Sequence, residues 1–258
     1  MNAVLFWILF SLGALSVAGF LTRALRKGGF DRDAFPTPAR KNAAIFLLVL
    51  VLLVCVVAPF SVGLSGRPAN ARELSVGSAF ALHAVFLVFL VAYYLLSGRM
   101  PLADYLAIRT PRPIRMLLVG FPIAAFAWGL SILGMLILQT ALGHGGAPAK
   151  PEVSPIIPWI VALPVSFKVA IVVSAMVFEE AFFRSFLQPR IGAVGATLFF
   201  TLAHGVYGQP LLLVGIFILA SVLALTFELY RNVLPAVVAH GAFDAFEIFV
   251  LIPFALGL

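Results

Sequence analysis

Charge is what this 258-residue chain has least of. Asp, Glu, Lys and Arg make up only 10% of it, and 63% of residues are hydrophobic, against about 45–50% in a soluble domain. So little charge excludes a solvated globular surface. Long apolar runs recur between short polar loops, and mean hydropathy is +1.13, so the fold class is all-α, a polytopic membrane protein. Cysteine is nearly absent too. The single Cys55 lies in an apolar run, which excludes an intrachain disulfide and a cysteine metal cluster. There is no His-Glu-x-x-His helix, no internal repeat and no low-complexity stretch. Acidic residues number 10 against 17 basic ones, a net charge of +7. In a soluble protein that would suggest nucleic acid. Here it marks cytoplasmic loops beside anionic headgroups, so the lipid bilayer is the expected partner and nucleic acid is not.

Eight spans are expected, at about 3–22, 42–62, 77–96, 116–142, 167–187, 193–208, 210–229 and 233–254, the sixth being short. The first follows no basic leader and precedes Arg23, Arg26 and Lys27, the pattern of an uncleaved span rather than a signal peptide. Pro155, Pro158 and Pro164 suggest a short interfacial helix within 152–165, with Lys168 snorkelling at the start of span five. Arg23, Arg26, Lys27, Arg32, Arg40, Lys41, Arg99, Arg109, Arg112, Arg115, Arg190 and Arg231 fall on one side. Only Arg67, Arg72 and Lys150 fall on the other. The first side is therefore expected in the cytoplasm, with both termini outside.

Against this background residues 178–184, Phe-Glu-Glu-Ala-Phe-Phe-Arg, stand out. Each charged group at mid-bilayer costs roughly 2.5–3.5 kcal/mol on insertion scales, so charges kept there are usually paired and functional. Glu180 and Arg184 are spaced i,i+4 and share a helix face. Glu179 points about 100° away and is free for another partner. Span six adds His204, with Phe200 one turn before it. Span eight adds His240 and Asp244, again i,i+4, and Glu247 continues that face. Counting about 1.5 Å per residue, Glu179, His204 and His240 reach similar depths in the cytoplasmic half. A purely structural network locking helix packing is the plainer reading, especially for Glu247 or Glu228 singly. Lone His83, in an apolar run, and His144, in a Gly-rich loop, read as ordinary.

The set suits hydrolysis. A carboxylate and an imidazole can hold a water and take its proton, while further polar groups stabilise the oxyanion. Two histidines and a glutamate around zinc are the alternative.

Glu179-Glu180-x-x-x-Arg184, Phe200-x-x-x-His204 and His240-x-x-x-Asp244, in that order on late spans, resemble the CAAX-protease and bacteriocin-processing family, which includes the Ras-converting prenyl endopeptidases. The resemblance covers about 150–250. It implies a glutamate intramembrane endopeptidase with a conical cavity open to the cytoplasm. It also implies a single integrated membrane domain, with N-terminal helices over 1–150 and a catalytic core over 151–258. By that likeness Glu179 and His204 activate water, His240 and Asp244 form the oxyanion site, and Glu180 and Arg184 support them. No cofactor is favoured, zinc being the lesser option. Asp244 departs from the family, whose best-known members carry Asn there.

The expected substrate is a membrane-associated peptide or protein: a CAAX-like end, a secreted peptide or a C-terminal sorting anchor. A bacterial inner membrane is the expected location. A non-catalytic immunity factor or export scaffold is the rival reading, and a transporter the third. Gly63-Leu64-Ser65-Gly66 resembles a rhomboid serine motif, but Arg67, Pro68, Asn70, Arg72 and Glu73 follow, so it reads as an outer loop. Phe178, Phe182, Phe183, Phe199 and Phe200 suggest either an apolar substrate groove or lipid-facing filler.

Overall fold

The computed structural model describes residues 2–66, 75–98, 100–141 and 154–257. Those residues form helices and turns, with no strand among them. An apolar segment in lipid has no water to bond its backbone, and a helix bonds it internally. The helices are α1 (Ala3–Arg26), α2 (Pro38–Leu52), α3 (Ala58–Leu64), α4 (Val76–Leu96), α5 (Leu102–Tyr105), α6 (Pro113–Ala141), α7 (Ile156–Ala162), α8 (Val165–Glu180), α9 (Gln188–Ile191), α10 (Ala193–Ala203), α11 (Pro210–Tyr230), α12 (Leu234–Phe246) and α13 (Ile252–Leu256). Their starts are written in the sequence. Asn2 Oδ1 accepts from the Leu5 N–H, and Thr37 Oγ1 from the Arg40 N–H. Pro38 and Pro210 stand at first positions, where a missing N–H costs nothing.

Single π-helical turns join several of these into longer rods. Leu53–Val57 links α2 to α3, Ala181–Leu187 links α8 to α9, and Glu247–Leu251 links α12 to α13. Among the described residues six rods are long and apolar enough to cross a membrane: Ala3–Arg26, Pro38–Leu64, Ala79–Leu96, Pro113–Leu138, Pro210–Tyr230 and Leu234–Leu256. The rod built on α8 is of similar length but carries Lys168, Glu179, Glu180, Arg184 and Arg190. The remaining expected span, Ala193–Tyr207, is a shorter apolar helix. The expected short helix before α8 is present as α7.

The basic loops gather at one end. Gly98 N–H donates to Asp33 O, Val233 N–H to Ala107 O, and Asn232 Nδ2 to Arg109 O. Asp33 and Arg190 form a buried ion pair there, and the Tyr93 hydroxyl donates to Asp33 Oδ2 at 2.7 Å. At the opposite end Asn2 N–H donates to Ser65 O. Ser65 is buried and bonds Val62 O as α3 ends, a capping role with no site residue in it. Arg67, Arg72, Arg99, His144, Lys150 and the 150/151 boundary lie outside the described residues.

The phenylalanines correct one expectation. Phe182, Phe183, Phe199 and Phe200 have at most 1% of their surface exposed, so they neither wall an open groove nor face lipid. Phe182 stacks on Phe86 at 4.3 Å between centroids, and Phe86, Phe89, Tyr93 and Phe186 extend the packing. Aromatic pairs at such spacing add about 0.5–1.5 kcal/mol each beyond burial. The cluster clamps α4 against α8 and its π-turn.

Candidate active site

Two close helix approaches bring the polar groups together. α12 packs along α6 and α8. Gly241 lies against Met176 of α8, where an added Cβ would overlap the Met176 sulfur. That absence of a side chain lets His240 reach Glu180. The second approach involves Gly63 on α3 and Gly205 in the 3₁₀ turn His204–Tyr207, where a Cβ on Gly63 would collide with the Gly205 carbonyl.

That 3₁₀ turn also sets the His204 ring. The tightened turn sends the His204 backbone N–H to the Thr201 and Leu202 carbonyls. His204 Nδ1 then lies 2.8 Å from the Phe200 carbonyl. A carbonyl only accepts, so Nδ1 carries the hydrogen and a neutral ring presents a bare Nε2. The Phe200 ring stacks on His204 at 4.7 Å and meets His240 edge-on at 5.7 Å.

Glu179 is buried, 4% exposed. Its Oε2 has no hydrogen-bond partner and lies 3.8 Å from His204 Nε2. Its Oε1 lies 3.2 Å from Nε2 of His83 on α4. His83 Nδ1 in turn contacts Ser174 Oγ at 2.9 Å. The expectation that His83 is ordinary is therefore wrong. Nothing local in its sequence marks it, because its partners sit on a helix more than 90 residues away.

Glu180 is wholly buried and serves two groups. Its Oε2 accepts from Arg184 Nε at 3.1 Å, the i,i+4 pair expected, and its Oε1 lies 3.0 Å from His240 Nδ1. His240 Nε2 is 3.3 Å from Asp244 Oδ2. The ring of His240 is thus held between two carboxylates. Arg184 is fully buried, its guanidinium 5.1 Å from the centre of the Phe200 ring, with Nη1 and Nη2 unpartnered. Glu247 accepts from Trp128 Nε1 at 2.9 Å, tying α6 to α12. Glu228 accepts from Gln188 at 2.9 Å and pairs with Arg231 at 2.8 Å, away from the constellation.

The six expected residues thus form two linked groups: Glu179 with His204, and the set Arg184–Glu180–His240–Asp244. His204 and Asp244 keep 20% and 25% of their side-chain surface exposed, and they form the accessible edge. Toward the basic end, Phe182, Phe183, Arg184 and Phe186 are fully buried and close the site. A cavity of about 370 Å³ lies at the basic end, lined by Arg32, Asp104, Arg109, Ser185 and Arg231 among others, but it contains none of the six.

Among the described residues, no three His, Cys, Asp or Glu side chains converge as ligands. Zinc needs donors about 2.0–2.2 Å away. Both His240 nitrogens face carboxylates, and Glu179 Oε1 faces His83, so His240 has no nitrogen free for a metal beside Glu179 Oε2 and His204 Nε2. The alternative two-histidine, one-glutamate zinc set does not fit this arrangement of the described residues.

Residues 160–246 match the family described as Type II CAAX prenyl endopeptidase Rce1-like. The match holds all six expected residues, whereas His83 and Trp128 lie outside it. No curated protein and no solved structure matches the chain.

Proposed function

With residues 160–246 forming an Rce1-like type II CAAX prenyl endopeptidase domain, we propose that the chain is an intramembrane endopeptidase in which Glu179 is the general base. The observation that carries this reading is the pair of open acceptors, Glu179 Oε2 and His204 Nε2, held 3.8 Å apart. They are too far apart to bond each other. A water about 2.8 Å from each would donate one hydrogen to either side, and its lone pairs would then face a substrate carbonyl. As the water oxygen bonds to that carbon, Glu179 takes the proton. It then returns the proton to the departing amine as the C–N bond breaks.

The developing oxyanion needs a donor. His240 Nδ1 faces Glu180 Oε1 and Nε2 faces Asp244 Oδ2; with both ring nitrogens protonated, each carboxylate oxygen accepts. A proton on Oδ1 of Asp244 would then point a donor at the oxyanion, as an Asn amide would while still accepting from His240. Glu180 and Arg184 hold His240 in place from behind.

The substrate is a membrane-associated peptide or protein that approaches past His204 and Asp244. The chain sits in a bacterial inner membrane with its basic end in the cytoplasm. Because bacteria commonly lack protein prenylation, maturation of secreted peptides or removal of C-terminal anchors is favoured over CAAX cleavage. Comparing the secreted and membrane peptides of a deletion strain with those of its parent tests this. Uncleaved precursors are expected in the deletion, restored to mature form by the wild-type gene. Identical peptide profiles would favour a non-catalytic scaffold.

A further inference from the structure

Glu179 is held by a residue that lies outside the family match. His83 lies on α4, outside residues 160–246, in a run that is otherwise apolar. Only 6% of it is exposed, yet both ring nitrogens meet polar atoms of α8: Glu179 Oε1 at 3.2 Å and Ser174 Oγ at 2.9 Å. Ser174 Oγ also lies 3.0 Å from the Ile171 carbonyl. We propose that Ser174 and His83 are positioning residues, a chain that engages Oε1 of Glu179 so that Oε2 alone is left for water. The proposal rests on the reading of Glu179 as the base.

Counting hydrogens supports it. Ser174 has one hydroxyl hydrogen and two acceptors within reach, the Ile171 carbonyl and His83 Nδ1. If the hydrogen goes to Nδ1, the single N–H of a neutral His83 sits on Nε2 and donates to an ionised Glu179. If it goes to Ile171, Nδ1 carries the ring hydrogen, and Nε2 and Oε1 face each other as two acceptors unless another proton is supplied. The first arrangement pairs both His83 nitrogens and Glu179 Oε1 with a neutral imidazole and an ionised carboxylate, leaving Oε2 open. That is the state a general base starts from. It also blocks rotation of the carboxylate, so the oxygen facing His204 stays in place. Misplacing a reacting group by about 1 Å costs on the order of 100-fold in rate.

The test has two arms. In the first, the full chain with ¹⁵N-labelled histidine is placed in phosphatidylcholine–phosphatidylglycerol bilayers and the ring nitrogens are read by solid-state NMR. His83 is assigned by its loss in His83→Gln. Expected are a protonated Nε2 and a bare Nδ1, with Ser174→Ala shifting Nδ1 and Glu179→Gln shifting Nε2. If neither substitution moves them, the chain does not exist, whatever the enzyme does. The second arm measures cleavage of a precursor identified from the deletion strain. His83→Ala is expected to lose roughly 100-fold in kcat with KM little changed. His83→Gln, whose amide N–H can still reach Oε1, should recover most of that rate. If Glu179→Gln is inactive but His83→Ala keeps wild-type kcat, the positioning role alone fails. If Glu179→Gln stays active, the base assignment fails and the positioning role falls with it. If His83→Gln restores thermal stability but not rate, the residue only ties α4 to α8 and the proposal is overturned.

Discussion

Glu180→Gln is the substitution whose cost follows most directly from the geometry. Among the described residues Glu180 is the one carboxylate in a salt bridge with Arg184, and neither side chain has exposed surface. Gln keeps the shape and can still accept one hydrogen bond, but the guanidinium loses its counter-charge while remaining buried. Removing one partner of such a pair costs about 3–5 kcal/mol. The loss is little softened by hydrogen bonds, because Arg184 Nη1 and Nη2 already lack partners and the Phe200 ring lies 5.1 Å from the guanidinium. His240 loses its charged acceptor at the same time. At roughly 2–4 °C per kcal/mol for a chain of this size, the melting temperature in detergent should fall by about 6–20 °C. Arg184→Met keeps the aliphatic stem and removes the charge. The double variant Glu180→Gln/Arg184→Met should therefore be far more stable than the sum of the two single losses implies, with a coupling of about 0.5–3 kcal/mol. A Glu180→Gln protein that melts like the wild type would refute the reasoning. So would strict additivity in the double variant.

The other predictions are more compact. If Asp244 donates directly to the oxyanion, Asp244→Asn keeps most of the cleavage rate and Asp244→Ala loses roughly 2.7–4 kcal/mol of transition-state stabilisation. Equal damage from both would mean that Asp244 acts by holding His240 charged. Purified protein should carry well under one zinc per chain and keep its activity in chelator. Stoichiometric zinc with reversible loss on chelation would turn Glu179 and His204 into ligands. Cysteines placed at Arg32 and Arg109 should react with an impermeant thiol reagent only from the cytoplasmic side, and labelling from outside in intact cells would reverse the orientation.

The sequence carried the spans well because a bilayer leaves little choice: an apolar run must be helical, and its length is set by the membrane. Glu180 with Arg184 and His240 with Asp244 were legible because i,i+4 spacing puts each pair on one face. What crossed between helices was not. Glu180 bridging Arg184 to His240, His83 gripping Glu179, and Trp128 holding Glu247 all depend on which helix faces which, and no local pattern encodes that. Arg190 read as a loop charge, yet it is buried against Asp33. The phenylalanines near the motif read as lining or filler because sequence gives hydrophobicity but not neighbours. The π-turn after Glu180 and the 3₁₀ turn at His204 were equally hidden, though the second aims the His204 ring.

The central claim is that Glu179 takes the proton of the attacking water. It is tested most directly by the cleavage rate of Glu179→Gln, measured on an identified precursor at matched protein level and melting temperature. The account predicts a loss of on the order of 100-fold or more, because the amide keeps the shape and cannot accept the proton. Cleavage at the wild-type rate would contradict it.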